Sequence, residues 1–225
     1  MQQAWNNLLF AHWPLAPAIM RPLVPRCLDL DTFDGQCWVA VTPFVITDLA
    51  MRGVPPLTVF SRFPELNVRT YVRFQDKPGV FFFSLDAGSA SAVFAARLFY
   101  ALPYFYARMR TQVTPGRVRY RCHRTQAGRT AEFRAEYGAI SPPHPAQPGT
   151  LPYFLCERYC LYAVEGRRLY RAEIHHPPWP LQDAAAEIAV NTMSQAAGIT
   201  LPGEPACLHF AQRVEVLVWW PERLL

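Results

Sequence analysis

Lysine is almost missing from this chain. Lys77 is the single one among 225 residues, so the net charge of +5 rests almost wholly on arginine. A mild positive excess suits an anionic small molecule better than nucleic acid. Charged residues are also scarce, at 17% against 51% hydrophobic, which excludes a disordered chain and suits a substantial core. No run approaches the ~18 apolar residues of a membrane span, so no membrane partner is expected. The six cysteines, Cys27, Cys37, Cys122, Cys156, Cys160 and Cys207, form no CxxC pair. The opening "MQQAWNNLLFAHWPLAP" lacks the early positive charge of a secretory leader. Free thiols in a reducing cytoplasm are therefore expected. A glycine-rich phosphate loop, a GxSxG elbow and HxH, HxxxH or HExxH spacings are all absent. His175 and His176 are adjacent, so a strand would point them to opposite faces. No metal and no cofactor are expected.

Proline and alternation are what the chain has instead. Its 22 prolines are scattered, which reads as many loop corners rather than one stiff linker. With no internal repeat and no boundary signal, residues 1–225 read as a single domain. The first 25 residues read as a surface wrap with a short helix near Ala16–Arg21. A turn at Asp34–Gly35 leads into a strand near 36–47, and another strand covers about 65–74. Pro78–Gly79 suits a type II turn, which would join that strand to "GVFFFSLD" as a hairpin. A helix is expected from Ser89, as N-cap, to Tyr100, with Pro103 as its breaker. Strands over 117–124 and 129–137 would join near Ala127–Gly128. "YFLCERYCLYAV" is read as a short helix reaching about Tyr159, "RRLYRAEIHH" as a strand, and further strands lie near 184–190 and 206–220. The fold class is α+β, mainly β: an antiparallel sheet or barrel with a few helices packed on it.

Two strands alternate cleanly. "FPELNVRTYV" puts Glu65, Asn67, Arg69 and Tyr71 on one face and Leu66, Val68, Thr70 and Val72 on the other. That polar face suits either bulk water, with an ion pair worth ~0–1 kcal/mol, or a pocket. "RVRYRCHR" aligns Arg117, Arg119, Arg121 and His123, with Tyr120 opposite. No aromatic interleaves with those arginines to stack bases, so a solvated face is expected and no nucleic acid. Trp219–Trp220 suit a core or a homo-oligomer interface.

The motifs "LLFAHWP", "LDTFDG", "FPELNVRTYV", "GVFFFSLDA", "LPYFYARM", "ERYCLYA" and "IHHPPWPLQ", in this order, strongly resemble the bacterial Domain of Unknown Function 2071 family (the YqjF-like proteins). The resemblance runs from near Leu8 to near Trp220. The family is in turn similar to the acetoacetate decarboxylase-like superfamily. Phe63-Pro64-Glu65 matches that superfamily's aromatic-x-Glu strand, Asp86 its strand-ending aspartate, and Ala96–Arg97 its Gly-Arg pair. Pro103 falls six residues after Arg97, where the superfamily has Pro-Lys-Lys, but Tyr104 and Phe105 replace both lysines.

The resemblance implies a closed, cone-like antiparallel β-barrel with flanking helices and a small-molecule site inside. It puts the Glu65 face inward, with Glu65 ionised beside Arg69. Glu65 and Tyr104 are then the catalytic candidates, and Asn67, Arg69 and Arg97 the substrate-binding ones. Arg97 is read either as a charge near the barrel mouth or as a surface arginine. A Schiff base needs a desolvated amine, and Lys77, beside a turn, is expected in water. The expected function is binding of a small polar or anionic molecule, with lysine-free acid–base chemistry on a carbonyl compound if any is catalysed. The alternatives are a non-catalytic ligand-sensing module and a scaffold whose barrel is filled with side chains.

Overall fold

A computed structural model describes residues 1–50, 62–100, 102–125 and 130–225. The chain opens as a long strand, β1 (Gln2–Leu15), and not as a surface wrap. Its apolar residues fall on both faces because both faces are covered. Leu8 and Phe10 face one buried cluster, and Leu9, Ala11 and Trp13 face another. Helix α1 (Pro17–Met20) follows, then β2 (Asp29–Leu30), β3 (Cys37–Ala50) and β4 (Arg62–Phe74).

Strand β5 (Lys77–Ala87) pairs with β4 through a two-residue connection at Gln75–Asp76, where Gln75 takes φ 55°. The hairpin is as expected, but Pro78 and Gly79 lie inside β5 and do not form its turn. Gly79 answers a different need. A Cβ there would come within 2.8 Å of the Cys160 carbonyl oxygen and 2.7 Å of the Tyr162 ring.

Helix α2 (Ala90–Tyr100) is capped by Ser89, whose Oγ accepts from the Ala92 N–H at 3.3 Å. Pro103 lies beyond its end. Two unexpected strands follow, β6 (Tyr104–Tyr106) and β7 (Arg108–Thr114). β7 is an edge strand with few buried residues, so it lacks the apolar face that reveals a strand. Next come β8 (Arg117–Arg124) and β9 (Ala131–Ala139); the expected connection at Ala127–Gly128 lies outside the described residues. Helix α3 (Leu151–Cys156) ends early, because β10 (Cys160–Glu165) begins within the segment read as helical. The chain closes with β11 (Arg168–His175), β12 (Gln182–Asn191), β13 (Cys207–Val218) and β14 (Glu222–Arg223).

Strands β13, β1, β3, β4, β5, β10 and β11 follow one another in a sheet that closes where β11 pairs with β13, Ile174 opposite Val218. The expected barrel is thus present, with two departures from antiparallel order, both at β5, which pairs in parallel with β10 and with β6. Beyond β13 the sheet continues through β12, β9, β8 and β7 and folds over the outside of the ring. One core lines the inside of the barrel, with Leu8, Phe10, Phe44, Phe82 and Leu161. The other lies between the barrel wall and the outer sheet, where Leu66 and Val68 join Tyr120, Phe133 and Tyr137 in one cluster. β4 is therefore covered on both sides.

A buried cavity in the barrel as the candidate functional site

The barrel holds a cavity of about 200 Å³ that opens toward solvent on the side of Trp220. That exceeds the ~150 Å³ apolar cavity known to accept a benzene-sized molecule. β1 contributes Trp5 and Phe10 to its wall, β3 contributes Phe44, and Trp179 comes from the segment after β11. β4 contributes Glu65, Asn67 and Arg69. Leu66 and Val68 are held in the outer core, so strand alternation turns their neighbours into the barrel. All three polar residues are buried.

Glu65 is fixed from two sides. The Tyr104 hydroxyl donates to its Oε2 at 3.1 Å. The Tyr120 hydroxyl, from the outer sheet, donates to the backbone carbonyls of Glu65 at 2.7 Å and Phe44 at 3.2 Å. Burial pushes the Glu65 carboxyl up to about 8; the Tyr104 hydrogen bond opposes this and the charge of Asp86 adds to it. Burial, with Glu65 beside it, also raises the Tyr104 hydroxyl well above its ordinary value. Glu65 is therefore mostly protonated near neutral pH, not ionised by Arg69 as the sequence suggested. The physical reason is length. Four residues along a strand span ~13 Å, so a shared face does not put the two charges in contact.

Arg69 leans away from Glu65, its guanidinium carbon 5.5 Å from the Phe10 ring centre and 6.0 Å from that of Tyr71. Among the described residues no carboxylate lies within ion-pair distance of it, and its buried Nε has no hydrogen-bond partner. Asn67 Oδ1, Thr42 Oγ1 and the indole N–H groups of Trp5 and Trp179 are likewise buried in this wall without partners. Arg158, a second cavity-lining arginine, is different. Its Nη1 donates to Asp31 at 2.6 Å, and its charge is matched.

Arg97 stands apart from the other candidates. It is exposed on α2, and its Nε donates to the Tyr104 carbonyl at 2.7 Å, outside the cavity wall. Lys77 is bound to Glu173 at 2.6 Å with its side chain 41% exposed. Asp86 is buried against Arg124, 3.3 Å from Nε to Oδ1, and supports the site from behind. Sequence reasoning missed Arg158, Tyr120, Trp5 and Trp179 as wall or support residues. Arg158 and Trp179 do sit in the motifs "ERYCLYA" and "IHHPPWPLQ", but nothing in their spacing placed them beside β4. The histidines also regroup: His12, Cys207 and His209, from two strands, come together beside Phe10 without lining the cavity themselves.

Comparison with known proteins places this geometry. The model of the Domain of Unknown Function 2071 family, described as an uncharacterised conserved protein, matches residues 2–215. The uncharacterised protein YqjF of Bacillus subtilis is 48% identical over 219 residues, covering 97% of this chain and 90% of YqjF. Among solved structures, the enduracididine biosynthesis enzyme MppR complexed with pyruvate has a TM-score of 0.70 at 14% identity, covering 100% of this chain and 90% of its own. Acetoacetate decarboxylase from Legionella pneumophila has a TM-score of 0.66 at 11% identity, covering 100% and 87%. At such identities the likeness is one of fold: the architecture is acetoacetate decarboxylase-like.

Proposed function

The chain belongs to the Domain of Unknown Function 2071 family, and from its cavity we propose that it binds a small oxo acid inside the barrel. The observation that carries this is Arg69, a buried guanidinium with no acidic partner among the described residues. Burying an unpaired charge costs several kcal/mol, and a ligand carboxylate would offset that cost with a bidentate contact. The fold neighbour MppR is complexed with pyruvate, a molecule of this class.

Glu65 and Tyr104 form the opposite end of the site. A carboxyl titrating near 8 can donate a hydrogen bond to a carbonyl oxygen and exchange a proton with the neighbouring carbon at physiological pH. No lysine lines the cavity, so the chemistry is acid–base and proceeds without an imine. Arg69 and Glu65 lie on the order of 10 Å apart along β4. Between them the wall is aromatic, with Trp5, Phe10, Phe44 and Trp179. The preferred ligand has its carboxylate and its carbonyl separated by an apolar spacer. The cavity beside Glu65 argues against the filled scaffold.

The test is equilibrium binding of an oxo-acid series, pyruvate, 4-oxopentanoate and 6-oxoheptanoate, to the wild type and to Arg69→Met. Affinity should rise along the series and fall at least tenfold in Arg69→Met, whose melting temperature should match or exceed the wild type's. Equal affinity in Arg69→Met, or no binding of any member, overturns the reading. Turnover of the bound acid, followed by proton exchange beside the carbonyl, distinguishes an enzyme from a sensing module. Borohydride added with the oxo acid should leave no covalent adduct on a lysine.

A further inference from the structure

A second cluster lies at another point of the barrel wall. His12 on β1 is the register partner of Cys207 on β13, and His209 lies two residues further along β13 on the same face. One ligand-type atom from each of the three falls within 4.8 Å of the others. Cys207 Sγ is 3.5 Å from His209 Nδ1. Sγ is also 3.9 Å from Nε2, so the sulfur lies beside the ring, and a rotation of the His209 ring would turn one nitrogen toward a shared ion at Zn–S ~2.3 Å and Zn–N ~2.0–2.1 Å.

His12 supplies an independent sign. It is fully buried, and its Nε2 is 2.8 Å from the Tyr71 hydroxyl. Its other ring nitrogen, Nδ1, is buried with no hydrogen-bond partner. A buried polar atom without a partner calls for an explanation. An imidazole held at one nitrogen by a hydroxyl, with the other left bare, is the arrangement that metal-ligating histidines adopt. Asp183 is the register partner of His209 across β12 and β13, and its charge acts on both Cys207 and His209.

We propose that His12, Cys207 and His209 bind a zinc-class divalent cation, with water in the fourth position. Two neutral imidazoles and one thiolate suit Zn²⁺, and binding releases the Cys207 thiol proton to solvent. None of the three residues lines the cavity, so this site does not depend on the oxo-acid reading. It borders the cavity all the same: the His12 ring stacks on Phe10, and Tyr71 touches His12 at one end and lies beside Arg69 at the other.

Cobalt titration of the metal-free full chain tests this. One equivalent of Co²⁺ should produce a thiolate-to-cobalt charge-transfer band that Zn²⁺ bleaches. Cys207→Ser should abolish the band, and His209→Gln should weaken Co²⁺ binding more than tenfold. Tyr71→Phe, which loosens His12 without removing a ligand, should weaken it about tenfold. Cys27 is an exposed free thiol, so Cys27→Ser is the control and should leave the band unchanged. Zn²⁺ should also raise the melting temperature of the wild type and not that of Cys207→Ser. No band in the folded wild type, a band that survives Cys207→Ser, or one that disappears with Cys27→Ser overturns the proposal.

Discussion

β4 and β8 are written in the same pattern and live in opposite environments. Each alternates polar and apolar residues, and each sends its apolar side into the same outer core, Leu66 and Val68 from β4, Val118 and Tyr120 from β8. The polar side of β8, with Arg117, Arg119, Arg121 and His123, is in water. There Arg117 and Arg119 pair with Glu136 at 3.1 and 2.6 Å. The polar side of β4 is sealed inside the barrel. Identical periodicity thus yields a solvated salt-bridge ladder in one strand and a candidate site in the other. Period two says which residues share a face; what lies opposite that face is a property of the whole sheet.

Substitutions that cross this divide should differ in size accordingly. The largest effect is expected at Arg124, which ends β8 but is buried against Asp86. Arg124→Ala strands a buried carboxylate and should cost about 3–5 kcal/mol in denaturant unfolding. A cost near that of Arg119→Ala would mean that Arg124 behaves like its exposed neighbours.

Glu65→Gln comes next and is read against pH. The folded-state carboxyl titrates at about 8 and the unfolded one at 4.5. Between those values the folded state holds the extra proton, so the contribution of Glu65 to stability is greatest below 4.5 and falls as pH rises to about 8. Glutamine mimics the protonated acid. The variant should lose this slope and exceed the wild type by on the order of 5 kcal/mol at pH 9. Asp86, raised to about 6, leaves a smaller slope in both proteins. Parallel pH curves for the two would mean that Glu65 is solvated.

Tyr120→Phe removes the hydroxyl that ties the outer sheet to the Glu65 and Phe44 carbonyls, a loss of about 1–2 kcal/mol. It should also weaken oxo-acid binding without moving the Glu65 titration by a full unit, since the carboxyl keeps Tyr104. The smallest effect belongs to the exposed pairs. Arg119→Ala should leave the denaturant midpoint almost unchanged, and the small loss should shrink further in high salt. A larger, salt-insensitive loss would show that this face is not open to water.

Legibility in the sequence followed the range of the interactions. Short-range signals were readable: the α2 helix from its Ser89 cap to Tyr100 and the alternation of β4 and β8, whereas Pro14, Pro43, Pro64 and Pro78 lie inside strands and not at loop corners. Pro78–Gly79 was misread, because glycine there serves the close approach of β10 and not a turn. That contact joins residues far apart in sequence. β1 was misread for the related reason that burial on both faces erases alternation. Tyr104 was found through the superfamily likeness of the Pro103 position, and the structure places its hydroxyl on Glu65. Its neighbour in the chain, Phe105, lies 4.3 Å under the Arg124 guanidinium instead.

By itself the sequence determined the face-sharing of Glu65, Asn67 and Arg69, because backbone geometry alternates side chains whatever surrounds the strand. It also determined that a single lysine, Lys77, is present. Tertiary structure alone decided the rest. Closure of the sheet between β11 and β13 turned the polar face of β4 inward, and burial there raised Glu65. Pairing of β1 with β13 brought His12 to Cys207 across almost the whole chain. Protonation states and ligand clusters depend on distances in space, and only the closed fold sets those.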